Sequence, residues 1–306
     1  MRILVVGAGA VGGYFGGRLA QAGRDVTFLV RDPRAREINA KGLQIVSPYG
    51  DVALHPRTVN AAQIAAPYDL VLLSVKSYSL SSAMRDFAAA VGPETMIYPV
   101  LNGMRHVDLL VERFGKHAVL GGVSLVATEI DGDGRIRQLT NFQKLIYGEL
   151  DGRVTPRLEK LDETLRGAGF DAAISTDILR DMWQKWVMLA TLGALTCLLR
   201  GNIGEIASVP GGADLSCMAL AAANGYPQSS AFLEDQTAKL TAKDSKLTSS
   251  MYRDLTKGAP VEVDTIVGDL LERGRKHGLA TPLLQAAYVN LSIYQRSVDR
   301  VKSAAK

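Results

Sequence analysis

The sequence predicts an α/β fold: a doubly wound, mostly parallel sheet followed by an all-α C-terminal domain. Three observations carry that reading. β-rich apolar runs alternate with helical patterns through the first half, and strand signals almost vanish beyond about residue 177, where long helical patterns take over. The third is the glycine run Gly7-Ala8-Gly9-Ala10-Val11-Gly12, set between the apolar run Ile3-Leu4-Val5-Val6 and a helical pattern.

In chain order, Ile3 to Val6 reads as the first strand and Val11 to Ala22 as the first helix, stopped by Gly23. Asp25-Val26-Thr27-Phe28-Leu29-Val30 alternates and forms the second strand. Asp69 to Val75 is apolar almost throughout, as expected of a strand covered by helices on both faces. A helical stretch from Leu80 to Val91 ends at Gly92-Pro93, and Met96 to Leu101 supplies the next strand. A helix near Val107 to Phe114 and the strand Ala118-Val119-Leu120 follow. Gly132-Asp133-Gly134, between β-like runs within 125–148, predicts an antiparallel hairpin, and Val154 to Ala168 a closing helix. Beyond it, helices are expected over 178–200, 212–223, 228–256, 261–277 and 281–300, punctuated by Gly201, Pro210, Gly225, Pro227, Gly258, Pro260, Gly278 and Pro282. The boundary falls within 168–176, giving domains 1–172 and 173–306, and the cleft between two such domains is the expected substrate site.

The glycines state what the first domain does, because a strand precedes them and a helix follows. Gly7 permits the tight turn, Gly9 lets the backbone approach a pyrophosphate, and Gly12 lets the helix pack closely on the sheet. The pyrophosphate would sit on the unpaired amides and positive dipole end of that helix. A Rossmann-type, dinucleotide-binding domain follows. Where an NAD site carries Asp or Glu for the ribose 2′-hydroxyl, this chain has Arg31, then Asp32, with Arg34 and Arg36 nearby. A guanidinium suits a 2′-phosphate, so NADP(H) is expected over NAD(H). Asp32 would serve the hydroxyl were the strand one residue longer, and a solvated charged turn accounts for the same residues.

With 306 residues, 47% of them hydrophobic, the chain can build two cores. No apolar run approaches about 18 residues, so no transmembrane helix is expected. The first strand leaves no room for a signal peptide. A net charge of +4, dispersed and without basic tracts, excludes nucleic acid as the expected partner while suiting an anionic cofactor or substrate. Cys197 and Cys217 have no redox or metal spacing and read as buried thiols, and His55, His106, His117 and His277 are scattered, so no metal site is expected. A cytoplasmic protein handling a small molecule is the plain reading.

Lys185 is the most suspicious charge. The 178–200 helix carries an apolar stripe of Met182, Leu189, Leu192 and Thr196, and Lys185 falls within it, flanked by Trp183 and Trp186. Lysine is rarely buried without a partner, so the helix aims an ammonium into a cleft; a snorkelling side chain is the bland alternative. Glu262 lies in Gly258-Ala259-Pro260-Val261-Glu262-Val263-Asp264, where Pro260 suits a helix start and first-turn acids favoured by the dipole account for both carboxylates without function. Ser249-Ser250 is by itself a routine polar face. Asn102-Gly103 closes a strand and Lys76 follows the strand ending at Val75, at the carboxyl ends where open α/β sheets bind ligands. A turn pair and a surface lysine explain the same residues.

Together these pieces resemble the ketopantoate reductases, the 2-dehydropantoate 2-reductase family, over essentially the whole chain. The markers are Gly7-Ala8-Gly9-Ala10-Val11-Gly12, Arg31, Ser74-Val75-Lys76, Leu101-Asn102-Gly103-Met104, Trp183-Gln184-Lys185, and Ser249-Ser250-Met251 with Glu262 twelve residues beyond Ser250. The resemblance implies an NADPH-dependent enzyme reducing a 2-keto acid to a 2-hydroxy acid on the route to pantothenate. Carried across by motif position, Arg31 holds the 2′-phosphate, Lys76 faces the cofactor's polar groups, and Asn102 touches nicotinamide or substrate. Lys185 is then the catalytic acid, with Ser250 and Glu262 orienting substrate. The family commonly places asparagines four and eight residues after the lysine, where this chain has Leu189 and Gly193; Asn202 lies near another substrate-binding position. Losing two polar groups weakens recognition of a hydroxylated substrate.

The reading is therefore an NADPH-dependent 2-keto acid reductase, ketopantoate by default. Its rivals are a reductase of a more apolar 2-keto acid, an opine-type dehydrogenase, and a non-catalytic NADP(H) sensor. A homodimer is compatible with the apolar helical half.

Overall fold

In the computed structural model, which describes residues 1–216 and 229–304, the strands in chain order are β1 (Arg2–Val6), β2 (Asp25–Leu29), β3 (Leu43–Val46), β4 (Val52–Leu54), β5 (Arg57–Val59), β6 (Leu70–Leu73), β7 (Met96–Pro99), β8 (Leu120–Leu125), β9 (Thr128–Ile130), β10 (Ile136–Gln138), β11 (Lys144–Glu149) and β12 (Asp171–Ile174). The apolar runs build one parallel sheet of order β5-β2-β1-β6-β7. The strand order reverses at β1, and the loops leaving the carboxyl ends of β1 and β6 flank that switch point, where doubly wound sheets bind ligands. Two smaller sheets, β4-β3-β10-β9 and β12-β11-β8, complete this part of the chain. The α/β architecture followed by helices is as the sequence predicts.

The helices are α1 (Ala10–Gln21), α2 (Asp32–Lys41), α3 (Leu80–Asp86), α4 (Arg105–Phe114), α5 (Pro156–Leu165), α6 (Ile178–Leu199) and α7 (Ile203–Ser208), then Ser230–Leu240, Ser250–Thr256, Asp269–Lys276 and Pro282–Ala304. The chain divides into two units: Met1–Leu101 with His106–Met182, and Asn102–Arg105 with Trp183 onward.

Several boundaries differ from expectation for physical reasons. The 228–256 helix is two, because Ser229 and Ser249 each cap a new start by accepting the amides of Phe232 and Tyr252. The intervening backbone turns to α7, where the carbonyls of Leu247 and Ser245 accept the amides of Ile203 and Gly204. β3, β4, β5 and β12 were not anticipated, being three or four residues long and largely half-exposed. Near 118 the chain forms a short 3₁₀ turn, Lys116–Ala118, and the strand runs Leu120–Leu125 instead. The expected hairpin forms from β9 and β10, with Gly134 at φ 83°. Among the described residues α6 is long and apolar enough, by length and composition, to cross a membrane, and most of it is buried within the fold, as a core helix would be. Cys197 is a buried free thiol, whereas Cys217, Gly225, Pro227 and the second half of the 212–223 helix lie outside the described residues.

What positions the ligand-binding end of the parallel sheet is the closeness of α1. An added Cβ at Gly16 would stand 2.7 Å from the Phe28 ring and 2.9 Å from Val5, and one at Gly17 would stand 2.7 Å from Ile45. Tyr14, Phe15 and Leu19 fill the neighbouring core without exposure. In Gly16→Ala, the helix gains about 1 kcal/mol of propensity. Overpacking against Phe28 costs about 1–3 kcal/mol, so urea unfolding is expected to show a lower midpoint at unchanged slope. An equal or higher midpoint would mean that α1 can withdraw from the sheet freely.

Candidate active site

The first unit holds the glycine loop that the sequence reads as a phosphate cradle. Gly7 turns out of β1 at φ 95°, its amide donating to Leu29 O at 3.1 Å. The first intrahelical bond shown for α1 is Gly13 N to Gly9 O at 2.8 Å, so the amides ahead of it are free of the helix's own ladder. Around Gly9, nothing lies within 4 Å of where a Cβ would be, and the first turn of α1 holds no acidic residue. Open space, unpaired amides and an unopposed dipole fit a pyrophosphate. Gly12 is required for packing: a Cβ there would collide with Ser74 Oγ and Gly7 O. Ser74 itself donates to Gly7 O at 2.9 Å, fixing the loop from β6; it appeared in the sequence only as a motif letter.

Arg31 stands beyond β2 at the N-cap of α2, exposed, its Nη2 donating to Ser82 Oγ at 3.0 Å. Asp32 begins α2, where the dipole favours an acid, as a helical residue rather than a strand end. Arg34 is committed elsewhere, because its Nε donates to Ala8 O at 3.1 Å and its Nη1 pairs with Glu37 at 2.5 Å. It is a clamp between α2 and the glycine loop, a contact across 26 residues that no local pattern reveals. Lys76, half-buried, follows β6 at the start of a 3₁₀ turn and accepts Ser79 N on its carbonyl at 2.9 Å. Ala8, Ala10 and Val11 complete the loop.

The second unit gathers the other candidates. Glu262 is 6% exposed, so the reading of it as a solvated first-turn acid does not describe its surroundings. Asp264 does fit that reading, exposed and accepting Tyr288 OH at 3.0 Å. Lys185 is half-buried on α6; loss of water drags its amine down to about 8, and the charge of Glu262 opposes that fall. An ammonium whose pKa lies near 8, beside a buried carboxylate, is chemically able to donate a proton. Asn102, half-buried, leads into Gly103 at φ 82° in a loop that belongs to this unit. Ser250 opens its helix, and the neighbouring Ser249 is buried, its Oγ 3.0 Å from Thr196 Oγ1. Asn202 caps α7: its side chain accepts Glu205 N at 2.9 Å while its own amide donates to Glu205 at 2.7 Å. That box explains Asn202 structurally and leaves only its Nδ2 for a ligand. His106 is buried on α4.

Two residues that sequence reasoning gave no role stand beside these groups. Met251, buried, occupies the space opposite Gly193, where an added Cβ would stand 2.7 Å from its terminal methyl. Trp186, fully buried, donates its indole N–H to Ile266 O at 2.9 Å.

Comparison with known proteins agrees with this geometry. Residues 3–152 match the family model described as ketopantoate reductase PanE/ApbA, and residues 177–295 match its C-terminal counterpart. The uncharacterized oxidoreductase YkpB of Bacillus subtilis (strain 168) is 34% identical over 302 residues, covering 96% of this chain and 99% of that one. A 2-dehydropantoate 2-reductase of Mesorhizobium japonicum is 27% identical, covering 94% of this chain and 95% of its own. The crystal structure of 2-dehydropantoate 2-reductase from Geobacter metallireducens GS-15 superposes with a TM-score of 0.86 at 28% identity, covering 95% of this chain and 99% of that one. The chain belongs to the ketopantoate reductase family of oxidoreductases.

Proposed function

We propose that the protein is an NADPH-dependent reductase converting a 2-keto acid to the 2-hydroxy acid, with 2-dehydropantoate to pantoate, a step toward pantothenate, as the first candidate. The observation that carries this reading is the amine of Lys185, desolvated on α6 and electrostatically coupled to the buried carboxylate of Glu262. Residues 1–172 supply the cofactor site: the loop Gly7 to Gly12 for the pyrophosphate, Arg31 for the 2′-phosphate, Lys76 for polar groups. Asn102 would meet nicotinamide or substrate. Residues 173–306 supply the substrate groups. When bound, the reduced dinucleotide supplies the hydride.

The chain's own residues manage the charge. Negative charge develops on the keto oxygen, and the Lys185 ammonium stabilises it and delivers a proton, a contribution of roughly 10²–10⁴-fold. Glu262 keeps that amine protonated in a partly dry setting, or accepts a substrate hydroxyl. Ser250 and the Nδ2 of Asn202 would orient the substrate. A sensor would need neither Lys185 nor Glu262.

A second reading is favoured by one observation. Leu189 is half-buried one turn after Lys185, and two turns after it the bare Gly193 faces the methyl of Met251. A face of this kind suits a 2-keto acid with an apolar side chain better than a hydroxylated one.

Four outcomes are expected. NADPH consumption should appear with 2-keto acids, and a panel running from ketopantoate to bulkier apolar acids ranks the two readings. Lys185→Ala should lower kcat by roughly 10²–10⁴-fold; undiminished turnover removes it as the acid. Because the acid must be protonated, kcat should hold at low pH and decline as pH rises through about 8, and Glu262→Gln should move that decline to lower pH. A profile that rises through this range contradicts the assignment. Arg31→Asp should shift preference from NADPH toward NADH, and identical preference before and after refutes the phosphate contact.

A further inference from the structure

Trp186 follows Lys185 directly, yet the proposed chemistry makes no use of it. It is 1% exposed, and its N–H donates to Ile266 O at 2.9 Å. Ile266 lies in the π turn Asp264–Gly268, where the amide of Asp269 reaches back five residues to Asp264 O. An extra residue in a helical turn throws carbonyls off the α ladder, and such turns gather at functional sites. This one hangs on Glu262: the Ile266 amide donates to Glu262 O at 3.1 Å, and Thr265 Oγ1 donates to the same carbonyl at 3.4 Å.

The loop after β7 presses on the same spot. A Cβ on Gly103 would stand 2.6 Å from Thr265 O and 3.7 Å from Trp186 Nε1. Thus the loop of Asn102, the helix of Lys185 and the turn of Glu262 meet at one indole N–H, all within one unit. Arg273 lies 5.7 Å over the Trp186 ring and pairs with the buried Asp269 at 3.2 Å, which balances its charge.

We propose that Trp186 is a positioning residue, whose bond to Ile266 O holds the wide turn in the form that keeps Glu262 beside Lys185 and the Asn102 loop against both. The inference rests on the reductase reading for the roles of Lys185 and Glu262. A buried tryptophan needs some acceptor; here the acceptor belongs to the turn that carries the carboxylate.

The test places β-(3-benzothienyl)alanine, which keeps the shape and lacks the N–H, at position 186, alongside Trp186→Phe, each with and without Glu262→Gln. Both single replacements should lower kcat by roughly 10- to 100-fold. The KM for NADPH should move least, since the glycine loop, Arg31 and Lys76, which make most of its proposed contacts, are in the other unit. In the Glu262→Gln background either replacement should add less than about twofold. Carbon-13 reductive methylation, with Lys185→Arg for assignment, follows the amine by NMR, and it should titrate at lower pH in both replacements, as in Glu262→Gln. An isostere with native kcat and titration overturns the proposal, as do losses that simply add to those of Glu262→Gln. If the native protein reduces no 2-keto acid, the reductase reading fails. The amine titration then decides the positioning alone: a lowered value supports it and an unchanged one ends it.

Discussion

A carboxylate with 6% of its surface exposed is the demand around which the second unit is arranged. Taking an ion out of water costs several kcal/mol, which only an opposite charge and good hydrogen bonds offset. Glu262 meets that demand with Lys185, itself short of water, so each group makes the other's burial tolerable. The pair is 77 residues apart in sequence, and each member sits in a stretch with buried apolar neighbours: Val261, Val263, Ile266 and Val267 on one side, Trp186, Val187 and Ala190 on the other. Gln295 fixes the approach by accepting the Val261 amide at 2.8 Å.

The same closeness operates in the first unit without charge. There the helix N-terminus is useful only if α1 lies near enough to the sheet for its amides to open at the end of β1. Phe28, Val5 and Ile45 take up the space that side chains at Gly16 and Gly17 would need, and Ser74 locks the loop through Gly7 O. Arg34 adds a strap from α2 to Ala8 O. Packing and these hydrogen bonds fix the loop on several sides, which on the proposed reading would leave less ordering to oppose ligand binding.

Local signals were legible in the sequence and distant ones were not. The glycine loop could be read because strand, turn and helix are contiguous. Lys185 could be read because a charge interrupts an apolar stripe. Glu262 and Asp264 were indistinguishable, since a proline-led helix start explains both; only burial separates them, one enclosed and the other exposed on Tyr288. Arg34 was visible only as a basic residue near Arg31, and its partner Ala8 is 26 residues away. The split of the 228–256 segment depended on α7 drawing the intervening backbone to itself, a tertiary preference that propensity does not contain. Trp186 was visible only as a flank, because its acceptor lies 80 residues on in a turn whose register no periodicity announces.

On α6 the proposed proton donor and the proposed selectivity positions occupy successive turns of one helix, and they have different dependencies. Lys185 is coupled to the charge of Glu262, and in the proposed positioning through that turn to Trp186. The next two turns depend on what covers them. Gly193 is bare where Met251 has moved in, and Met251 follows Ser250 on a helix start held by Ser249 against Thr196. A polar side chain at 193 would first have to displace a buried methyl, so the apolar character there is a property of the pair and not of one position. Leu189 has no such constraint, being half-exposed between the lysine and that pair. On the proposed reading, changing which side chain the substrate carries therefore requires altering two packed residues and one more open one, while the proposed proton donor stays where Glu262 holds it.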